Sequence, residues 1–379
     1  MKIAYITASE ILGAANDGGI QCCKRNLSLL KQAFGEENIY VCAITKHKEF
    51  VPKSYDNTAV FFSSRSKYSI LKNILYGRLQ FGKDVEDSVL HHVKSLDCDV
   101  AFIEFSRMGY LQKRLPKDIK QVLFIHNIEA EHIKKSMRVH PERIVLKRAF
   151  ERNEAIAVKI ADVIISLNNR DAANLKEYYD RNADLIMPIT MEDNYVQADV
   201  TKRPLNSPLL KLLFVGSLMP PNEQGITWFV NEVMPRVNTE FTVVGKGFEK
   251  LADKLNRSNV KVIGTVEQLS EYYHVSDAVV SPILFGAGMK VKTAEALMYG
   301  KPMFATDEAL EGYEVDDLEN VYRCNTAKAF IESINTYAEK KHYLPYDENI
   351  RERFLEKYHT PKYVSVFREL LIEKRVKEI

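Results

Sequence analysis

Nowhere in this 379-residue chain does an apolar run approach the roughly 20 residues that a membrane-spanning helix needs. The opening MKIAYITA enters a strand pattern at once, without the apolar stretch and cleavage site of a secretory signal. Cysteine is scarce. Five residues, an odd number in a chain this long, point to reduced thiols in a cytoplasmic protein. Charge of one sign is lacking too: Lys and Arg number 53 against 51 Asp and Glu, so nothing draws the whole chain to nucleic acid. The first strand is not followed by GxGxxG. Gly13, Gly18 and Gly19 have the wrong spacing for a dinucleotide, which argues against an NAD(P)-dependent oxidoreductase.

What is present is a folded α/β pattern. Hydrophobic residues make up 46% of the chain and charged residues 27%, and the length suits two domains of moderate size. KIAYITA, YVCAIT, DVAFIEF, KQVLFIHN and DVIISL are near-continuous apolar strands separated by helical stretches, among them IQCCKRNLSLLKQAF, one long stretch through Ala157, and 170–179. Such strands belong to a parallel sheet covered on both faces. The rhythm lapses over 184–208, which has three prolines and several turn formers. It restarts with KLLFVGSL, a loop MPPNEQG, the helix ITWFVNEVMPRV and the strand FTVVGKG. We therefore expect two Rossmann-like domains, 1–195 and 196–355, and a C-terminal helix over 356–379. That helix either packs on the second domain or crosses back to the first, burying a stripe of Tyr363, Val366, Phe367, Leu370 and Leu371.

The most informative stretch is 281–312, SPILFGAGMKVKTAEALMYGKPMFATDEALEG. It reads as a strand end, a glycine turn, a helix and a second strand. Gly286 and Gly288 bare the backbone where the helix begins, and Lys290 and Lys292 stand beside that opening. A helix N-terminus offers free N–H groups and partial positive charge, so this is a phosphate site. Glu295, one turn beyond Lys292, is placed to accept ribose hydroxyl hydrogens; phosphate grip and carboxylate together indicate a nucleotide. Against this stands an ordinary solvated Lys292–Glu295 pair worth a few tenths of a kcal/mol. Elsewhere, Cys22 and Cys23 point to different faces of one helix and read as core or interface thiols. Asp97-Cys98-Asp99 precedes an apolar run and reads as a turn, so no metal site is assigned.

The order FVGSL, VVGKG, VIGTVEQLSEYY, SDAVVSPILFGAGMKVKTAEALMYGKPMFAT and EG resembles the donor-binding domain of GT-B glycosyltransferases, in particular the retaining group similar to GT4. The resemblance spans roughly 205–315 and is weaker across the N-terminal half. It implies the GT-B fold, two Rossmann-like domains facing across a cleft, and transfer of a sugar from a nucleotide-sugar donor to a saccharide or lipid-linked acceptor. Surface polysaccharide or glycolipid assembly is the implied pathway. Neither a cofactor nor a metal is implied. By the same resemblance Glu295 holds the donor ribose, the backbone of Gly286, Ala287, Gly288 and Met289 meets the diphosphate and sugar, and Gly264, Thr265 and Val266 lie by the base. Gly216 begins a loop facing the cleft, Gly18 and Gly19 approach the donor phosphates, and His126 faces the transferred sugar. Glu104, ending its strand, is either an acceptor contact or a buried, hydrogen-bonded carboxylate, and Asn127 and Glu129 beside His126 are further acceptor-side candidates. Two departures are notable: Ala287 stands where many relatives carry a glutamate, and SLMPPNEQG lacks the usual Arg and Lys. Lys290 or Lys292 then has to neutralise the diphosphate. The stretches SSRSKYSILKNILYGRLQF and HIKKSMRVHPERIVLKRAFER mix basic and apolar residues; each is either a solvated helix face or a contact with the inner face of a membrane. A GT-B-shaped nucleotide-sugar epimerase and a non-catalytic nucleotide-sugar-binding protein are the alternatives.

Overall fold

A computed structural model describes residues 1–13, 18–46, 57–63, 81–136, 144–196, 209–286, 288–340 and 345–373. The chain divides into two compact units: 1–188 with 360–379, and 189–359. Each is built on one parallel sheet.

In the first unit the strands are β1 (Ile3–Thr7), β2 (Ile39–Thr45), β3 (Thr58–Phe62), β4 (Val100–Glu104), β5 (Lys120–Ile125), β6 (Val163–Ser166) and β7 (Leu185–Ile186). Their order is β3-β2-β1-β4-β5-β6-β7. Every residue of β1, β4, β5 and β6 is buried. Burial on both faces explains why these strands are continuous apolar runs, with no alternation of polar residues. The order reverses between β1 and β4, and in open sheets of this kind ligands bind outside the carboxyl ends of the strands at such a point. The helix Lys362–Glu373 belongs to this unit. Phe367 is fully buried with its ring 6.0 Å from Phe102, and Lys120 Nζ donates to the carbonyls of Leu370 and Leu371 at 3.2 and 2.7 Å. A buried ammonium is thereby satisfied by the orphan carbonyls of a helix end.

In the second unit β8 (Leu210–Val215), β9 (Thr239–Val244), β10 (Val260–Gly264), β11 (Ala278–Ser281), β12 (Met303–Ala305) and β13 (Val321–Arg323) run in the order β10-β9-β8-β11-β12-β13, all parallel. The switch point lies between β8 and β11.

Three sequence expectations need correction. The stretch MPPNEQG is not a loop: the helix Pro220–Glu232 starts inside it, because prolines in the first turn lack only an N–H that has no intrahelical partner there. Gly18 and Gly19 are not loop residues but open the helix Gly18–Phe34. The long stretch through Ala157 contains two helices, Glu129–Ser136 and Ile144–Ile160. Of the two base-rich stretches, residues 64–80 and 137–143 lie outside the described residues. Lys134 and Lys147 in the second pair with Glu131 and Glu151 at 3.9 and 3.6 Å.

Candidate active site

The second unit places its glycines at the carboxyl ends of the central strands. Gly216 follows β8 and its N–H donates to Val244 O at 3.0 Å; Gly245 follows β9 and donates to Gly264 O at 2.8 Å. These bonds knit three strand ends into one edge. Gly264 has φ +81°, and Gly245 lies so close to the next strand that a Cβ there would sit 1.9 Å from Gly216 O. Thr265 beyond it is exposed and Val266 half-buried.

Across the switch point, β11 ends at Ser281 and the chain reaches the helix Val291–Met298 through Gly286 and Gly288, the latter at φ +64°. Ala287 is outside the described residues. Met289 is buried and its sulfur accepts from Ile189 N at 3.4 Å, so only its backbone is available to a ligand. The helix start is anchored from one side: Thr293 Oγ1 donates to Ala309 O and Tyr313 Oη to Lys290 O, each at 2.7 Å. No side chain caps it, and no acid occupies its first turn. Its dipole therefore meets nothing negative from the protein's own helix.

The two lysines, equivalent in the sequence, differ in the structure. Lys290 Nζ is held by Glu308 Oε1 at 2.7 Å and by Gly288 O at 2.6 Å, so its charge is already matched and it is the weaker candidate for a diphosphate. Lys292 reaches back toward β8. Its Nζ lies 4.4 Å from the centre of the Phe214 ring, donates to Asn222 Oδ1 at 2.5 Å, and would be 3.0 Å from a Cβ on Gly216. Among the described residues no carboxylate pairs with it. Burial, and then the nearby Lys290, push its pKa down to about 7. Glu295 follows one turn later. Tyr273 Oη donates to its Oε2 at 3.2 Å, and Tyr273 is fixed by stacking on Tyr299 with ring centres 4.4 Å apart. Burial raises the Glu295 pKa to about 7, against the opposing pull of Tyr273 and Lys292. Gly216, Gly286, Gly288, Lys292 and Glu295 thus gather on the two strand ends that flank the switch point. Asn222 and Tyr273 escaped sequence reasoning, since they meet Lys292 and Glu295 from 70 and 22 residues away.

The first unit assembles a different cluster. His126, just beyond β5, is only 5% exposed, and its Nε2 lies 2.5 Å from Glu104 Oε2 at the end of β4. Glu104 Oε1 accepts from Tyr5 Oη at 2.8 Å and Asn26 Nδ2 at 3.0 Å. Burial alone would lower the His126 pKa, but the Cys22 and Cys23 sulfurs and the Glu104 carboxylate hold it well above its ordinary value. Two of the acceptor-side candidates are buried. Glu104 has no exposed surface and both oxygens are engaged, and Glu129 is 5% exposed with its carboxylate turned to Arg107 at 3.9 Å. Asn127 is half-buried, and its Oδ1 has no hydrogen-bond partner among the described residues. Gly18 is exposed and Gly19 half-buried. Asp97 takes a left-handed turn at φ +50° and Asp99 Oδ2 accepts from Lys2 N at 2.9 Å, so this acidic pair closes a turn.

This geometry is that of a GT-B protein, and comparisons with known proteins define it further. Residues 210–340 match the family described as Glycosyl transferases group 1. Sucrose-phosphate synthase from Thermosynechococcus elongatus superposes with a TM-score of 0.74 at 16% identity, covering 98% of this chain and 99% of that one. HepE from Anabaena, solved in complex with UDP and glucose, superposes at 0.67 and 14% identity, covering 98% and 99%. An uncharacterized 44.6 kDa protein in a Klebsiella pneumoniae cps region is 28% identical over 142 residues, 34% of this chain and 37% of that protein. The chain therefore has two Rossmann-like domains of the GT-B fold, and residues 210–340 of its C-terminal unit carry the group 1 glycosyltransferase pattern. Among the described residues no helix is long and apolar enough to cross a membrane.

Proposed function

We propose that this chain is a retaining hexosyltransferase, moving a sugar from a nucleoside-diphosphate sugar to a saccharide or lipid-linked acceptor in surface-polysaccharide assembly. One observation carries the reading: Lys292, half-buried and without a carboxylate partner among the described residues, stands at a helix start with no side-chain cap on the switch point of the C-terminal sheet. A cation in the first turn opposes the helix dipole, and Lys290 beside it adds repulsion. A bound diphosphate relieves both. In the reaction the bond from the anomeric carbon to the diphosphate oxygen breaks and its electrons pass to the diphosphate. Lys292 and the helix N–H groups stabilise that charge as it develops, so no metal is required for the step. The acceptor oxygen bonds to the anomeric carbon on the same face and its proton passes to the departing phosphate oxygen. His126 is assigned to the sugar side, with its charge maintained by Glu104.

The donor is tested with a thermal-shift panel of UDP, GDP, ADP and CMP sugars. UDP-glucose comes first, because HepE was solved with it. A donor at a hundred times its dissociation constant stabilises by about 2.7 kcal/mol, a shift of several degrees. Failure of every nucleotide sugar to raise the melting temperature would refute the reading. Release of nucleoside diphosphate that depends on added acceptor separates a transferase from an epimerase. Replacing Glu295 by Gln should weaken donor binding about tenfold, the cost of about 1.4 kcal/mol for a lost charged hydrogen bond. The same change should leave binding of inorganic pyrophosphate intact, since the ribose contact alone is removed. Equal loss for both ligands would show that Glu295 supports the fold of the site instead of the ribose.

A further inference from the structure

In the first unit Cys23 Sγ lies 3.8 Å from His126 Nε2, the nitrogen that also meets Glu104 Oε2 at 2.5 Å. The thiol, imidazole and carboxylate come from the Gly18–Phe34 helix, the residue after β5 and the end of β4, at the carboxyl edge of the sheet beside its switch point. All three are buried, and their ligand atoms lie within 4.8 Å of one another, the one such group among the described residues. We propose that Cys23, Glu104 and His126 form a binding site for a zinc-class divalent ion, and that the ion switches off the sugar side of the enzyme.

Magnitudes support this ligand set. Tetrahedral zinc with bonds of about 2.3 Å to sulfur and about 2.0 Å to nitrogen or oxygen separates S from N by about 3.6 Å and N from O by about 3.3 Å. The observed S···N distance is already near that value. Glu104 Oε2 has to move out by less than about an ångström, which a small rotation of the carboxylate provides. The outer shell is in place as well: Tyr5 and Asn26 hold Oε1 and leave Oε2 for the ion, and the Phe105 ring stacks on His126 with centres 4.0 Å apart. Such partners orient ligands and raise affinity. Phe105, which carries that ring, sits at φ +76° directly after Glu104. Binding displaces the thiol proton and the proton shared by His126 and Glu104, so thiolate and carboxylate neutralise the ion. The imidazolium becomes a neutral, metal-bound imidazole. The fourth position is left for water, as in an open three-ligand site.

The effect on turnover rests on the transferase reading above, whereas binding does not, and the tests keep them apart. X-ray absorption on the wild-type chain with one equivalent of Zn²⁺ should show one sulfur at about 2.3 Å and nitrogen or oxygen neighbours at about 2.0 Å. No sulfur neighbour, or two, overturns the ligand set. Co²⁺ should give a thiolate charge-transfer band that is lost in Cys23→Ser and kept in Cys324→Ser; a band surviving in Cys23→Ser overturns the site. Zn²⁺ at one equivalent should reduce transfer at least tenfold, reversibly with a chelator. Zinc bound with that sulfur signature but transfer undiminished overturns the switch. A donor panel that fails while the absorption signature holds refutes the transferase reading and leaves the metal site standing.

Discussion

Replacing Lys292 by Ala should lower kcat/KM for donor turnover by about two orders of magnitude, roughly 2–3 kcal/mol of lost transition-state stabilisation. The size follows from the environment of the side chain. Lys292 Nζ lies half-buried between the Phe214 ring, Asn222 and Gly216, where a charge–charge contact with a diphosphate is less screened than in bulk water. The Lys290→Ala change should cost less than tenfold, because its ammonium already meets Glu308. The pH dependence distinguishes the two further. In the free protein Lys292 titrates at about 7, and bound diphosphate favours the charged form, so binding takes up a proton above pH 7. Donor affinity should therefore fall as pH rises from 7 to 9, and the slope should vanish in Lys292→Ala. Glu295 acts in the opposite direction: it accepts ribose hydrogens as a carboxylate and also titrates at about 7, so affinity should fall on acidification through that value too. A profile that is flat from pH 5 to 9 would refute both assignments.

A Gly245→Ala change should lower the melting temperature of the C-terminal unit by about 10 °C and remove donor binding with it. The added Cβ would sit 1.9 Å from Gly216 O and 2.5 Å from its carbonyl carbon, at φ +154°. The obstacle is backbone, so no rotamer relieves it; overpacking and backbone strain together give about 3 kcal/mol or more. For a unit of this size each kcal/mol is worth about 2–4 °C. Relief has to come from moving Gly216 away from Val244, which also moves the wall behind Lys292. Gly286→Ala is the control. There the Cβ meets Glu308 Oε1 and Lys290 Cε at 3.2 Å, the ends of flexible side chains, and the loss should stay below about 1 kcal/mol. Equal melting temperatures for the two variants would contradict the account of this edge.

Much of this was legible in the sequence. Strands buried on both faces wrote themselves as IAYIT, VAFIE and KQVLFI, and the strand end, glycine turn and helix of 281–298 were readable as such. Local reading failed where the deciding partner is distant. Lys290 and Lys292 look alike until Glu308, 18 residues on, claims one and Asn222, 70 residues back, holds the other. The sequence left Glu104 open between an acceptor contact and a buried, hydrogen-bonded carboxylate because Tyr5, Asn26 and His126, which hold it, are distant in the chain, as Arg107 is from Glu129. Cys23 carried no local signal of its neighbours, since His126 lies 103 residues away. MPPNEQG was misread because prolines usually mark loops, yet they fit the opening turn of a helix.

The most direct test of the central claim is isothermal titration of UDP, and then GDP, ADP and CMP, into the wild-type chain and the Lys292→Ala variant. The account predicts one nucleotide site per chain, with affinity for the accepted diphosphate about a hundredfold weaker in the variant. Equal affinity in the two proteins, or no binding of any of these nucleotides to the wild type, would contradict it.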